Sequence, residues 1–166
     1  RDFRQLRTLD VIERNWLKTE ETTNAPVSFL AWTTTPWTLP SNSFLAVWGK
    51  IQYIHIWDIS TKEYFIIAKS LVNKYYKNKE DYVVVAEYTG KELEWLRYEP
   101  IFSYINDSKI AQEYKNKYFH VIVADYVSTE DGTGIVHIAP SLWVDDFEAV
   151  ANSVFEALGF DSDDPA

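Results

Sequence analysis

The richest hydroxyl chemistry in the chain lies in Trp32-Thr33-Thr34-Thr35-Pro36-Trp37-Thr38-Leu39-Pro40-Ser41-Asn42. Hydroxyls both donate and accept, so a wall of them can hold a ribose, an ester carbonyl and a water without net charge. The plainer reading of the same residues is a strand edge running into a Pro-rich turn, with Thr present as a good β-former, and composition alone favours it. A second cluster is Asp131-Gly132-Thr133-Gly134-Ile135-Val136-His137-Ile138-Ala139-Pro140, followed by Asp145-Asp146. Gly132 and Gly134 permit a positive φ or a close backbone approach. His137 follows two apolar residues and is expected at the rim of the core, where a lone histidine packs more often than it reacts. Asp145 and Asp146 precede a helical pattern, and N-capping is their default role. Together the segment places a hydroxyl, an imidazole and a carboxylate within fifteen residues, around a strand-to-helix junction, a common setting for small-molecule sites.

Other chemistries fail on inspection. Gly90-Lys91 is no phosphate-binding loop, because Val85 replaces the first glycine and Glu92 the Ser/Thr. Gly132 separates Asp131 from Thr133, which breaks an aspartic-protease loop. Asp145 and Asp146, adjacent on a helix, cannot face each other as an acid pair. Asn106-Asp107-Ser108 matches a glycosylation signal with nothing to indicate secretion. His55, His120 and His137 lack metal-ligand spacing. With no cysteine there is no disulfide, thiolate metal site or Cys nucleophile.

The elements that must position these clusters are mostly strands. Val27 to Trp32 and Phe44 to Trp48 are compact apolar runs. Large residues occupy nearly every position of Ile51 to Ile59, as in a strand buried on both faces. Ser60 to Glu63 reads as the turn of a hairpin into Tyr64 to Ala68. Asp81 to Tyr88, Tyr118 to Tyr126 and Gly134 to Ala139 are further strands, the last stopped by Pro140. Helical signals are fewer: Ser70 as the cap of a short helix through Lys77, and Asp145-Asp146 opening one to about Leu158 and Gly159. Arg1 to Lys18 is ambiguous between a helix presenting Phe3, Leu6, Leu9 and Ile12 and a strand from Leu9 to Leu17. The expected fold is mainly β with peripheral helices (α+β), built as a barrel or sandwich.

The 166 residues suffice for one sizeable core. An aromatic content of 16% excludes disorder, and no apolar run approaches the length of a spanning helix. Arg1-Asp2-Phe3-Arg4 has neither a signal peptide's apolar stretch nor an initiator Met, so the chain reads as a piece of something larger. Residues 1–117 carry a net +1, while residues 118–166 hold ten acidic residues and no Lys or Arg, which accounts for the net −9. The basic footprint of autonomous nucleic-acid binding is missing.

Taken together, the two clusters resemble the editing domain inserted in class I aminoacyl-tRNA synthetases. The threonine segment looks like the isoleucyl version; the valyl and leucyl relatives carry Arg where this chain has Thr35. Gly132-Thr133-Gly134-Ile135-Val136-His137 with Ala139-Pro140 resembles the family's second motif, and Asp146 follows His137 by nine residues, where the family places its substrate-anchoring aspartate. Gly90-Lys91-Glu92-Leu93-Glu94 through Tyr98-Glu99-Pro100 is a weaker third similarity. Trp143 and Trp95 stand where the family usually has Gly. The first 25 residues match nothing in the family, so the expectation is one editing domain over 1–166, with the motif-bearing core at about 27–158 and an acidic tail from 160.

The resemblance implies an editing-domain β-barrel that hydrolyses the ester of valyl-tRNA(Ile), the second sieve of a double-sieve enzyme. Asp146 would bind the substrate's α-ammonium. Thr33, Thr34, Thr35 and Thr38 would line the amino-acid and terminal-adenosine site and position the water. Asn42 would support that loop, His137 would form the wall that rejects the larger side chain, and Gly132, Thr133 and Gly134 would shape the floor. Implied partners are the 3′ end of tRNA(Ile) carrying valine and the remainder of a synthetase chain. The resemblance implies no cofactor in this domain, no membrane, a cytoplasmic location and a monomer. Two other readings of the same residues are a catalytically impaired or engineered remnant, suggested by Trp143, and an unrelated β-barrel binding module.

Overall fold

A computed structural model describes residues 3–8, 26–102 and 118–140. Strands dominate: β1 (Phe3–Thr8), β2 (Val27–Trp32), β3 (Phe44–Val47), β4 (Gln52–Asp58), β5 (Glu63–Ala68), β6 (Tyr82–Thr89), β7 (Tyr98–Glu99), β8 (His120–Val123) and β9 (Ile135–Ile138). Two short helices, α1 (Val72–Tyr75) and α2 (Gly90–Leu93), and three 3-10 turns complete the described residues.

All nine strands belong to one sheet, and β2 explains why it curls. β1 covers one edge of β2 from Ser28 to Trp32. The other edge is shared: β5 pairs with Val27 to Phe29, and β9 takes over at Trp32. β9 continues through β3 to β8, and an Arg97–His120 bridge leads to β7, which pairs with β1. The pairings therefore run in a circuit, with the β5-β4-β6 meander extending from the lower part of β2. This is the mainly β architecture expected from the period-two patterns.

The core fills the inside of that curl. Phe29, Leu45, Val121, Leu93, Leu96 and Tyr98 meet there, each wholly buried. A second cluster, Leu30, Ile54, Ile56, Phe65, Ile67 and Val72, lies between the β2-β5-β4 face and α1. β4 thus buries side chains on both faces, as its run of large residues predicts. Each such side chain contributes about 1.5–3 kcal/mol of transfer free energy.

Several boundaries differ from expectation. The strand read over Tyr118 to Tyr126 is confined to His120–Val123. Phe119 takes a left-handed φ of +63°, and the Ala124 N–H leaves for the Val47 carbonyl at 2.9 Å before the chain turns. Ser70 caps nothing: it lies inside a 3-10 turn, Lys69–Leu71, that feeds α1. Within the ambiguous amino-terminal stretch, Phe3–Thr8 is a strand, which overturns the helical alternative there. Gly90-Lys91-Glu92 belongs to α2, whose Thr89–Glu92 capping box satisfies the first turn. The expected helix from Asp145, the Leu9 to Leu17 alternative, Asn106-Asp107-Ser108 and the acidic tail lie outside the described residues.

Candidate functional site

The threonine segment leaves β2 and winds into a 3-10 turn, Pro36–Ser41. Pro36 suits the first position of such a turn, where its fixed φ helps and its missing N–H is not needed. The tight turn stacks the hydroxyls. Thr33 Oγ1 accepts the Thr35 N–H at 3.0 Å and lies 3.4 Å from Thr35 Oγ1. Thr35 Oγ1 is 3.2 Å from Thr38 Oγ1, and Thr38 donates to the Thr35 carbonyl at 2.7 Å.

The relay ends on His137, whose Nε2 is 2.9 Å from Thr38 Oγ1. Thr38 has one hydroxyl proton and gives it to the Thr35 carbonyl, so the geometry assigns the Nε2–H to His137 as donor. Both side chains are buried. Ser43 donates its N–H to the Ile138 carbonyl at 2.9 Å, and β3 then pairs with β9. The pairing of β3 with β9 is what brings the two motifs together.

Asn42 closes the 3-10 turn, its backbone N–H on the Leu39 carbonyl at 3.1 Å. Both ends of its amide are engaged: Nδ2 donates to the Phe44 carbonyl at 2.9 Å, and Oδ1 accepts from Tyr98 at 2.6 Å. Its place is structural support beneath the threonines.

Gly132 and Gly134 have φ of +73° and +75°, the left-handed region that glycine enters without strain. A side chain at either would also collide: a Cβ on Gly132 would lie 3.1 Å from the Trp32 ring, and one on Gly134 2.5 Å from Ala68 Cβ. Thr133 between them is buried, its hydroxyl turned back on the Ile135 carbonyl at 3.3 Å and its own carbonyl accepting the Ala68 N–H at 3.0 Å.

Of the residues singled out in sequence, the structure joins Thr33, Thr35, Thr38 and His137 in one hydrogen-bonded set. Thr34 is exposed and stands apart from that set. Gly132, Thr133, Gly134 and Asn42 form the frame around it. Asp146, Trp143 and Asp145 lie outside the described residues. The contact between Thr38 and His137, 99 residues apart, has no signal in spacing; nor has the Tyr98 hydroxyl on Asn42. A separate cavity of about 520 Å³ is lined by Leu30, Phe65, Tyr75, Tyr76 and the carboxylates of Asp58, Glu80 and Asp81. Among the described residues, none of the sequence-predicted site residues lines it. Asp58 there is held ionised: burial raises its pKa, but hydrogen bonds from Ser60, Thr61 and Tyr76 outweigh burial and bring it below the usual carboxylate range.

Comparison with known proteins adds the following. No family profile matches the chain. The isoleucine--tRNA ligase of Treponema pallidum is 44% identical over 129 residues, which cover 75% of this chain and 12% of that protein. A probable cytoplasmic isoleucine--tRNA ligase of Dictyostelium discoideum is 43% identical, covering 77% of this chain and 12% of the relative. The chain therefore spans about an eighth of the relatives it matches. Among solved structures, GlLeuRS-CP1 superposes with a TM-score of 0.67 at 20% identity, covering 96% of this chain and 62% of that one. The editing domain of the P. knowlesi cytosolic leucyl-tRNA synthetase gives 0.64 at 15% identity, covering 90% and 62%. At these identities the superpositions establish a shared fold.

Proposed function

Because the chain belongs to the editing domains of the isoleucyl-tRNA synthetase family, we propose that it hydrolyses the ester of valyl-tRNA(Ile). The observation that carries this reading is the Thr33–Thr35–Thr38 relay closing on His137, a polar wall where the two motifs meet. The need for such a site is physical. One methylene separates Val from Ile by only about 1–3 kcal/mol in an apolar pocket, a limit for which this synthetase is the standard worked example. A second pocket that admits Val and rejects Ile multiplies the discrimination.

In the reaction, water adds to the ester carbonyl, the acyl C–O bond breaks, and the water's proton passes to the departing ribose oxygen. The products are valine and a free tRNA terminus. An aminoacyl ester is already activated, so orienting the water and polarising the carbonyl can suffice without a covalent nucleophile. Thr33, Thr34 and Thr35 take that task. Thr38 fixes the His137 ring as the excluding wall, Gly132, Thr133 and Gly134 form the floor, and Asn42 carries the threonine turn from below. Asp146 receives the substrate's α-ammonium as a charge-assisted partner. The domain works as a monomeric insertion in a cytoplasmic synthetase, whose remaining chain supplies most of the tRNA affinity.

The test is deacylation of Val-tRNA(Ile) by the 166-residue chain and by its Asp146→Ala variant. The variant is expected to lose activity while keeping its fold, since the sequence reads Asp146 as an acidic residue opening a helix, a role that contributes about 1 kcal/mol or less. Unchanged deacylation would remove Asp146 from the site; absence of deacylation in the parent chain, alone and joined to the synthetase, would remove the editing reading.

A further inference from the structure

Three tyrosine hydroxyls end on the two segments that build the candidate site. Tyr53 on β4 donates to the Gly134 carbonyl at 2.7 Å. Tyr75 at the end of α1 donates to the Gly132 carbonyl at 2.6 Å. Tyr98 on β7 donates to Asn42 Oδ1 at 2.6 Å. The Thr133 carbonyl accepts from Ala68 at the end of β5, so three consecutive carbonyls of the glycine loop are tied to three different elements. A segment with two left-handed glycines is the least stiff backbone a chain can offer. Its position here is imposed by what holds its carbonyls.

That position matters beyond the loop. Gly134 runs directly into β9, and His137 projects from that strand onto Thr38. Asn42 holds the opposite side, because it terminates the 3-10 turn that carries Thr38. Tyr53 and Tyr75 therefore locate one wall and Tyr98 the other.

We propose that Tyr53, Tyr75 and Tyr98 are positioning residues that hold the glycine loop and the threonine turn at a fixed separation and so set the size limit of the pocket. This rests on the editing reading given above. A filter that must resolve one methylene tolerates displacement of only about half an ångström, and two loop carbonyls and the Asn42 amide gripped by tyrosine hydroxyls supply that constancy. The Tyr53 and Tyr98 hydroxyls remain donors at physiological pH: burial pushes Tyr53 up to about 12, with the Trp48 N–H acting the other way, and burial raises Tyr98 well above its usual value. Tyr53 further accepts the Trp48 N–H at 3.1 Å, which ties the end of β3 to the same point.

The test uses Tyr53→Phe, Tyr75→Phe and Tyr98→Phe in the 166-residue chain, each removing one oxygen. The first readout is the ratio of single-turnover deacylation rates for Val-tRNA(Ile) and Ile-tRNA(Ile). Loss of folded protein lowers both rates alike and leaves the ratio fixed; a displaced wall changes it. The ratio is expected to fall about threefold or more in each variant, a fraction of a methylene's full discrimination. The second readout needs no substrate. Amide exchange at Thr133 and Gly134 is expected to quicken about tenfold in Tyr53→Phe and Tyr75→Phe, with Ile54 and Ile56 of β4 unchanged, as local opening requires. Tyr75 is only half-buried, so its variant carries the test if a fully buried one fails to fold. An unchanged ratio overturns the proposal, with or without faster exchange, since the loop would then be held for stability alone. If the parent chain deacylates neither ester, the editing reading fails and the size-limit role falls with it, whereas an active parent with an unchanged ratio overturns the size-limit role alone.

Discussion

At the scale of single residues, His137 and His55 show one side chain in two opposite settings. His137 is buried but donates to Thr38 at 2.9 Å, and through Thr38 it touches Thr35. If its ring is the excluding wall, His137→Ala enlarges the pocket, and the variant is expected to begin hydrolysing Ile-tRNA(Ile) while still hydrolysing Val-tRNA(Ile). A stable variant that spares Ile-tRNA(Ile) would place the size filter in other residues. His55 has no such task. It is 2% exposed on β4, and among the described residues neither ring nitrogen finds a hydrogen-bond partner. Its ring meets Tyr64 edge-on at 5.0 Å, and burial lowers its pKa from 6.5 to about 4. Below pH 6.5 the unfolded chain takes up a proton that the folded chain refuses. Stability is therefore complete above about pH 6.5 and falls towards pH 4 by about 1.4 kcal/mol per unit, roughly 3 kcal/mol in all. Urea denaturation across that range should show the slope, and His55→Leu should flatten it. Asp58 acts in a lower window, since its depressed pKa withdraws stability only as the pH falls below the usual carboxylate value. A slope unaltered by His55→Leu would assign the proton uptake elsewhere.

At the scale of elements, strained backbone separates what could be read in sequence from what could not. β2, β4, β5 and β6 were legible because alternating or unbroken apolar runs have only one way to be buried. The hairpin between β4 and β5 was legible from its polar turn, and Gly132 and Gly134 from the need for positive φ. The late start of β8 was not, because Phe119 adopts φ +63° against its own preference, held by its N–H on the Ser43 carbonyl at 2.7 Å. The 3-10 turn of the threonine segment was hidden for a related reason: Thr is a β-former, and only Pro36 and Pro40 force the turn. Trp95 is the sharpest case. It stands where the resemblance expects Gly, and its φ is +68°. Its N–H bonds the Val121 carbonyl at 2.8 Å, and its ring lies 6.0 Å from that of His120. A left-handed conformation costs a non-glycine residue about 1–2 kcal/mol, while glycine costs about 0.5–1 kcal/mol in chain entropy. Trp95→Gly is thus expected to stay within about 1 kcal/mol of the parent despite losing an indole, because strain relief offsets lost contact. Trp95→Ala loses the contact and keeps the strain, so it should be the less stable of the two. Thermal unfolding of both variants decides; alanine above glycine would mean that the strain is not felt.

At the scale of the whole molecule, charge separates the chemistry from the affinity. Both motifs lie on an intact β scaffold, yet the chain is −9 overall, and residues 118–166 hold no cation at all. Affinity for a polyanion comes from phosphates neutralised by Lys and Arg, each releasing counterions and steepening the salt dependence. Here the 16 basic residues of 1–117 are offset by 15 acidic ones. Among the described residues Lys69 is already paired with Glu87 at 2.6 Å and Lys91 with Glu94 at 3.7 Å. With acidic residues nearly matching the basic ones, there is no cationic surplus to track a phosphate backbone. The 166-residue chain is therefore expected to bind tRNA(Ile) more weakly than about 10⁻⁴ M at physiological salt, with a shallow slope of log K against log salt. Its deacylation rate should rise linearly with Val-tRNA(Ile) concentration through the micromolar range and never saturate there. Joining the chain to the remainder of a synthetase should bring saturation without raising the rate at saturating tRNA, since the added cations bind ground state and transition state alike. Fluorescence-anisotropy titration of tRNA(Ile) at several salt concentrations measures the first expectation, and initial rates against substrate measure the second. Saturation by the isolated chain at micromolar tRNA, with a steep salt slope, would mean that this acidic domain carries a phosphate-binding surface of its own.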